Sequence, residues 1–157
     1  VIINSQVINR IVDFTEYYTN YKTSDNSAEY LNRNLGNVDI AYSPSLSGTS
    51  DLLFSVLKHT DIHFITKYVG KQYIDNTMNA ERAIDPYLVN NLRIDYHPVI
   101  KSIKGFEIQL QVNNIFNEVY ESNGYGGNWF EDGVEKSWSY YFPQAKINYL
   151  LRASIKF

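Results

Sequence analysis

Apolar and polar side chains alternate along most of this chain, and the alternation is most regular at its C-terminal end. From Ala145 to Phe157 every second residue is apolar or aromatic, whereas the residues between them are mostly polar or charged. Because successive side chains of a β-strand point to opposite faces, this segment is predicted to be a strand with one apolar and one polar face. Such a strand at the end of a chain is unusual, since the terminal residues of soluble domains commonly fray.

The same alternation recurs along the rest of the chain, and no segment has the spacing of an amphipathic helix. Six segments carry it: 1–14, 38–56, 62–75, 84–97, 106–113 and 145–157. Neither a linker nor a low-complexity tract separates them. The sequence therefore predicts an all-β fold, an antiparallel up-and-down meander of about six long strands that forms one domain or part of one.

The connections between these predicted strands differ in length. Those at 57–61 and 100–105 are short, whereas those at 17–36 and 122–138 are much longer. Long antiparallel strands with short turns at one end and long loops at the other are typical of bacterial outer-membrane barrels. In that interpretation the short turns are periplasmic, and the C-terminus lies at the same end.

Composition excludes several other classes of protein. The net charge is only −3 and there is no basic run, which gives no reason to expect a nucleic-acid partner. The chain has no cysteine, so disulfides and thiolate metal sites are impossible. It also lacks the run of about 18 apolar residues that a transmembrane helix needs. A mean hydropathy of −0.34 remains compatible with barrel strands, whose alternation averages out.

Two arrangements of the apolar faces remain open. A soluble, secreted β-sandwich or β-barrel acting as a binding module would turn its apolar faces inward, whereas a membrane barrel would turn them toward lipid. Strand length, loop asymmetry and 14 tyrosines favour the membrane. The predicted lipid-facing residues are then Leu88, Leu92, Ile94, Ile108 and Leu110.

The sequence contains no catalytic motif. Carboxylates are scattered, no nucleophile stands beside a base in a recognisable pattern, and the three histidines lie in or near the short connections. We therefore expect neither enzyme activity nor a bound metal or cofactor.

The segment 122–138 is the most plausible binding element, because it combines glycines with several aromatic side chains in a predicted loop. Its ligand-facing candidates are Tyr125, Trp129 and Phe130. The alternative is that these side chains pack against neighbouring loops or belong to the aromatic girdle of a barrel.

Several segments also resemble a known family. In order along the chain they are "NRIVDFTEYYTNY", "VDIAYSPSL", "KYVGKQYIDNT", "DPYLVNNLRIDY", "VNNIFNEVYESNGY" and "YYFPQAKINYLLRASIKF". They resemble the C-terminal end of TonB-dependent outer-membrane receptors of the Bacteroidetes type. The resemblance implies that 1–157 is the C-terminal segment of a 22-stranded barrel, and that the plug domain and the earlier strands lie outside this segment.

The resemblance also implies a function and partners. Such receptors import scarce nutrients such as iron chelates, haem, cobalamin or glycans, and a TonB-type transducer supplies energy through the plug. They lie in the outer membrane, and the barrel-assembly machinery is expected to recognise their last strand. The residues of that predicted assembly signal are Tyr149, Leu151, Ala153, Ile155 and Phe157. A simple apolar strand end is the alternative for Phe157.

Overall fold

The computed structural model describes residues 10–101 and 103–156, and their fold is all-β. The strands are β1 (Arg10–Lys22), β2 (Ser27–Asp39), β3 (Ser47–Leu57), β4 (Thr60–Val69), β5 (Gln72–Tyr73), β6 (Ala83–Ile84), β7 (Tyr87–Tyr96), β8 (Gly105–Asn113), β9 (Glu121–Glu131), β10 (Val134–Pro143) and β11 (Asn148–Lys156). The 3-10 turn Ala80–Arg82 precedes β6. Nothing helical in the described ranges is capable of crossing a membrane.

Five long strands form one antiparallel sheet in the order β11-β8-β7-β4-β3. A two-residue turn joins β3 to β4, and the backbone N–H of His97 donates to the carbonyl of His59 in that turn at 2.8 Å. At the same end of the sheet, Lys156 of β11 pairs with Gly105 of β8. The two short connections and the C-terminal end of β11 therefore lie at the same end of the strands, as the sequence predicted.

Four further strands form a second sheet in the order β10-β9-β1-β2. It consists of two antiparallel hairpins, β1–β2 and β9–β10, joined by a short parallel pairing in which Asn20 faces Phe130 and Tyr21 faces Glu131. Among the described residues, the remaining two strands, β5 and β6, pair only with each other.

The β9–β10 hairpin continues the pairing of β8 with β11. Asn113 and Asn148 form the last pair between β8 and β11. Beyond this pair, the N–H of Gln144 donates to the carbonyl of Tyr120 at 2.9 Å. The buried side chain of Asn114 donates to the carbonyls of Glu118 and Ala145 at 2.8 and 3.2 Å. This asparagine therefore holds together the two chain segments that run from one sheet into the other.

The predicted all-β, antiparallel character is confirmed, but the prediction of long loops at 17–36 and 122–138 is wrong. Both segments are mostly paired strands, so nine strands of at least nine residues replace the six expected. The sheets of the described residues are not closed into a barrel. The prediction for Phe157 lies outside the described residues.

The turn and the glycines of the segment 122–138 explain why it forms a hairpin. Asp132 and Gly133 both have positive φ, 49° and 77°, which is the geometry of the two-residue turns that Asp-Gly favours. A Cβ on Gly126 would lie 2.5 Å from the carbonyl oxygen of Trp138, and one on Gly124 would lie 2.8 Å from that of Tyr140. These glycines therefore permit close strand packing and do not indicate a mobile loop.

Candidate functional site

One face of the five-stranded sheet is apolar and uncovered. Cross-strand pairing aligns ten side chains in two rows, which we call the apolar rows: Phe54, Ile62, Ile94, Leu110, Leu151 and Leu52, Phe64, Leu92, Val112, Tyr149. None of the ten is buried, and Leu151 is 71% exposed. Leu88 and Ile108, the other two residues predicted to face lipid, belong to this same face, and neither is buried.

The opposite face of the same sheet is polar and internally bonded. Asp95, only 6% exposed, accepts hydrogen bonds from Nε of Arg93 at 2.9 Å and from Nε2 of Gln109 at 2.7 Å. Nδ1 of His63 lies 2.9 Å from a carboxylate oxygen of Asp51, and its Nε2 lies 3.5 Å from Asp95. These five side chains satisfy one another on the face opposite the apolar rows.

The β9–β10 hairpin separates the three predicted ligand-facing aromatics. Tyr125 and Trp129 are exposed on one face, which they share with three further aromatics, Trp138, Tyr140 and Phe142. The ring centroid of Tyr125 lies 5.5–5.7 Å from those of all three. We call these five side chains the aromatic face.

Phe130 points the other way, and its burial fits the alternative that this side chain packs against its neighbours. It is 5% exposed, and its ring stacks on that of Tyr18 with centroids 3.9 Å apart. The guanidinium carbon of Arg33 lies 5.1 Å from the centroid of the Phe130 ring. Alternate residues of a strand face opposite sides, so Phe130 could not share a face with Trp129 once the segment became a strand.

On this inner face of the four-stranded sheet lies an ionic cluster that the sequence did not reveal. Its members come from four separate parts of the chain: Glu16, Arg33, Asp75, Arg82, Asn128 and Glu135. Arg82 is completely buried, and its Nε lies 2.5 Å from a carboxylate oxygen of Asp75. Glu135 accepts from Nη1 of Arg82 at 3.2 Å and from Nη1 of Arg33 at 2.9 Å.

The remaining bonds close the ionic cluster. Nε of Arg33 lies 2.5 Å from a carboxylate oxygen of Glu16, and Nδ2 of Asn128 donates to both Glu16 and Glu135. Burial acts to raise the pKa of Glu135, but hydrogen bonds from Arg33 and Asn128 and the charge of Arg33 outweigh it, so that the pKa is lowered. Burial likewise acts to lower the pKa of Arg33, and its bonds to Glu135 and Glu16 raise it instead. Both groups are therefore held in their ionised forms.

The histidines are dispersed. His59 lies in the turn between β3 and β4, His63 is committed to Asp51 and Asp95, and His97 follows β7. Within 10–101 and 103–156, no three histidine or carboxylate side chains converge as a metal site.

The predicted assembly-signal residues lie on β11 at one edge of the five-stranded sheet. Tyr149, Leu151, Ala153 and Ile155 point to the apolar face, where all four are exposed. Among the described residues, β11 pairs only with β8, which leaves its other edge without a partner strand.

Comparison of the chain with known protein families, with curated proteins and with solved structures finds no match.

Proposed function

We propose that this chain is part of the barrel wall of an outer-membrane receptor that imports a scarce nutrient, as its resemblance to TonB-dependent receptors implies. The observation that carries the proposal is the inverted polarity of the five-stranded sheet, whose apolar rows are uncovered and whose polar face is internally bonded.

Burial energetics support a bilayer as the environment of this sheet. Each Å² of apolar surface removed from water contributes about 25 cal/mol, and soluble monomers rarely expose large contiguous apolar patches. In a membrane barrel the same rows would face lipid, and the network around Asp95 would face the aqueous lumen or the plug. The side-chain chemistry of both faces then suits its surroundings.

The open edges of the sheet support the same proposal. In the part of the chain that the structure describes, β3 and β11 each pair on one side only. Exposed edges of this length invite pairing with other chains, and closed barrels remove them by adding strands. Earlier strands of a 22-stranded barrel would pair with these edges in the complete receptor.

In this proposal the four-stranded sheet lies on the extracellular side. The short connections and the C-terminal end of β11 lie at the opposite, periplasmic end of the strands. The aromatic face begins where the apolar rows end along the chain, as expected for a girdle at the membrane interface. The ionic cluster lies on the other side of these hairpins and holds them in shape. The energy transducer would act through a plug, and the assembly machinery would engage β11.

Fractionation of cells that produce the protein tests the proposal. We expect the protein in the outer-membrane fraction, and we expect the purified protein to need detergent to remain monodisperse. A periplasmic or secreted protein that stays monodisperse in buffer alone would overturn the proposal in favour of a soluble binding module.

A further inference from the structure

A polar pocket of about 310 Å³ lies where the polar face of the five-stranded sheet meets the base of the β9–β10 hairpin. Lys67 of β4, Tyr87 and Asn91 of β7, Tyr120 and Ser122 contribute to its wall. Asparagine and glutamine side chains complete most of the lining, and no carboxylate of the described residues takes part. The pocket is therefore positively charged and rich in groups that both donate and accept hydrogen bonds.

Two tyrosines form one side of the pocket. The rings of Tyr87 and Tyr120 lie with centroids 4.4 Å apart and planes inclined by 33°. Tyr87 is buried among Val69 and Val89, and Tyr120 packs against this small apolar cluster. The rings are thus held by packing, which gives the pocket a rigid, partly apolar wall.

Several polar groups of the pocket have no bond within the protein. Among residues 10–101 and 103–156, Nζ of the exposed Lys67 and the phenol hydroxyls of Tyr87 and Tyr120 make no ion pair or hydrogen bond, and none of these atoms is buried without a partner, so they are open to the pocket. By contrast, Asn113 donates to Asn148 at 2.9 Å and is fixed by that bond. An uncompensated ammonium beside free hydroxyls suits a ligand that brings one negative charge and several hydroxyl groups.

We propose that this pocket binds a sugar that carries a carboxylate, that is, a uronic acid. Its carboxylate would pair with Lys67, its hydroxyls would meet Asn91 and Ser122, and the apolar side of its ring would rest against Tyr87 and Tyr120. A neutral sugar would leave Lys67 unpaired. That the bound sugar enters an uptake route rests on the function proposed above, whereas its binding does not.

Titration of the purified protein with D-glucuronate and with D-glucose tests this assignment, because the two sugars differ only at C6, which is a carboxylate in the first and a hydroxymethyl group in the second. A charge-assisted hydrogen bond leads us to expect that glucuronate binds at least about tenfold more tightly, as measured by calorimetry. Equal affinity for the two sugars, or no binding of either, would overturn the proposal.

Two substitutions at Lys67 make the test specific. Lys67→Met should abolish the preference for glucuronate, and Lys67→Arg, which keeps the charge, should retain most of it. Lys136→Met is the matched control, because Lys136 pairs with Glu131 on the exposed hairpin and lies outside the pocket. A preference that survives Lys67→Met would contradict the assignment of Lys67. A protein that prefers glucuronate but is absent from the outer membrane would support the proposed sugar site and contradict the proposed receptor function.

Discussion

Nη1 of Arg82 lies 3.2 Å from Oε1 of Glu135, and this contact joins a loop to a strand that follows it 53 residues later. Arg82 ends the 3-10 turn Ala80–Arg82, and Glu135 lies near the start of β10. The guanidinium also bonds to Asp75 and to Thr77 at 2.5 and 2.8 Å. A completely buried charge is tolerated only because these partners surround it.

Replacing Arg82 should therefore destabilise the hairpin strongly. Arg82→Met leaves Asp75 without its cation, whereas Glu135 keeps Arg33. Loss of one partner of a buried pair costs about 3–5 kcal/mol. Urea unfolding followed by the fluorescence of Trp129 and Trp138 on the hairpin measures the change in unfolding free energy.

The control for this substitution is Lys136→Met. Lys136 and Glu131 form an exposed pair on the same hairpin, and such pairs contribute about 1 kcal/mol or less. Equal effects of the two substitutions would mean that the ionic cluster does not stabilise the hairpin.

Glu135 should make stability depend on pH in the acidic range. Its pKa in the folded protein lies below the ordinary value of 4.5, so its ionised form favours folding. This stabilisation is complete above pH 4.5 and is lost as the pH falls through the lowered pKa. Melting temperatures of the protein and of Glu135→Gln should therefore differ near neutral pH and converge in strong acid. A difference in melting temperature that is as large in strong acid as at neutral pH would contradict the stabilising role of ionised Glu135.

Leu92 and Arg93 are neighbours that point to opposite faces of β7, and their substitutions should have unequal effects. Leu92→Arg introduces a charge into the apolar rows, which costs about 2–4 kcal/mol at the middle of a bilayer. Arg93→Gln removes the cation that pairs with the nearly buried Asp95, but Gln109 still donates to that carboxylate and His63 lies 3.5 Å from it. These remaining partners offset part of the loss, so we expect it to be smaller than the loss caused by Leu92→Arg. If the proposed function is correct, the amount of folded protein in the outer-membrane fraction measures both. A larger loss for Arg93→Gln would contradict the proposed orientation of the sheet.

Glycine substitutions test the close packing of β9 against β10. A Cβ on Gly126 would lie 2.5 Å from backbone oxygen of β10, so Gly126→Ala should destabilise the hairpin by about 1–3 kcal/mol. Gly105→Ala is the matched control, since its nearest neighbour, Cβ of Lys156, lies at an ordinary 3.5 Å. Denaturant midpoints compare the two variants, and identical midpoints would show that the strands can separate without loss.

The sequence predicted the two faces of the central strands because alternation is a local property of the chain. Leu92, Ile94 and Leu110 share a face for this reason, and no knowledge of their neighbours was needed. The sequence analysis predicts a loop in place of the β9–β10 hairpin, because glycines are common in loops. Asp132-Gly133 between alternating residues was the available signal for a hairpin.

The ionic cluster could not have been predicted in this way. Arg33 and Glu135 are far apart in sequence, and no spacing rule relates a strand residue to a partner on another hairpin. Arg82 lies in a segment without periodicity, and only the folded chain brings it to Glu135. The polar pocket has the same origin, since Lys67 and Tyr120 meet through the ordering of strands.

The junction between β1 and β9 determines when the four-stranded sheet can form. At the tips of the two hairpins the N–H of Gly133 donates to Asn20 at 2.9 Å, and the N–H of Thr23 donates to Asp132 at 3.0 Å. These bonds join residues 113 and 109 positions apart, so they close a loop that spans most of the described chain. Contacts between such distant residues form slowly, because the entropy of closing a long loop opposes them. The β1–β2 hairpin, whose own contacts are local, should fold early and then wait for β9 and β10 to complete its open edge.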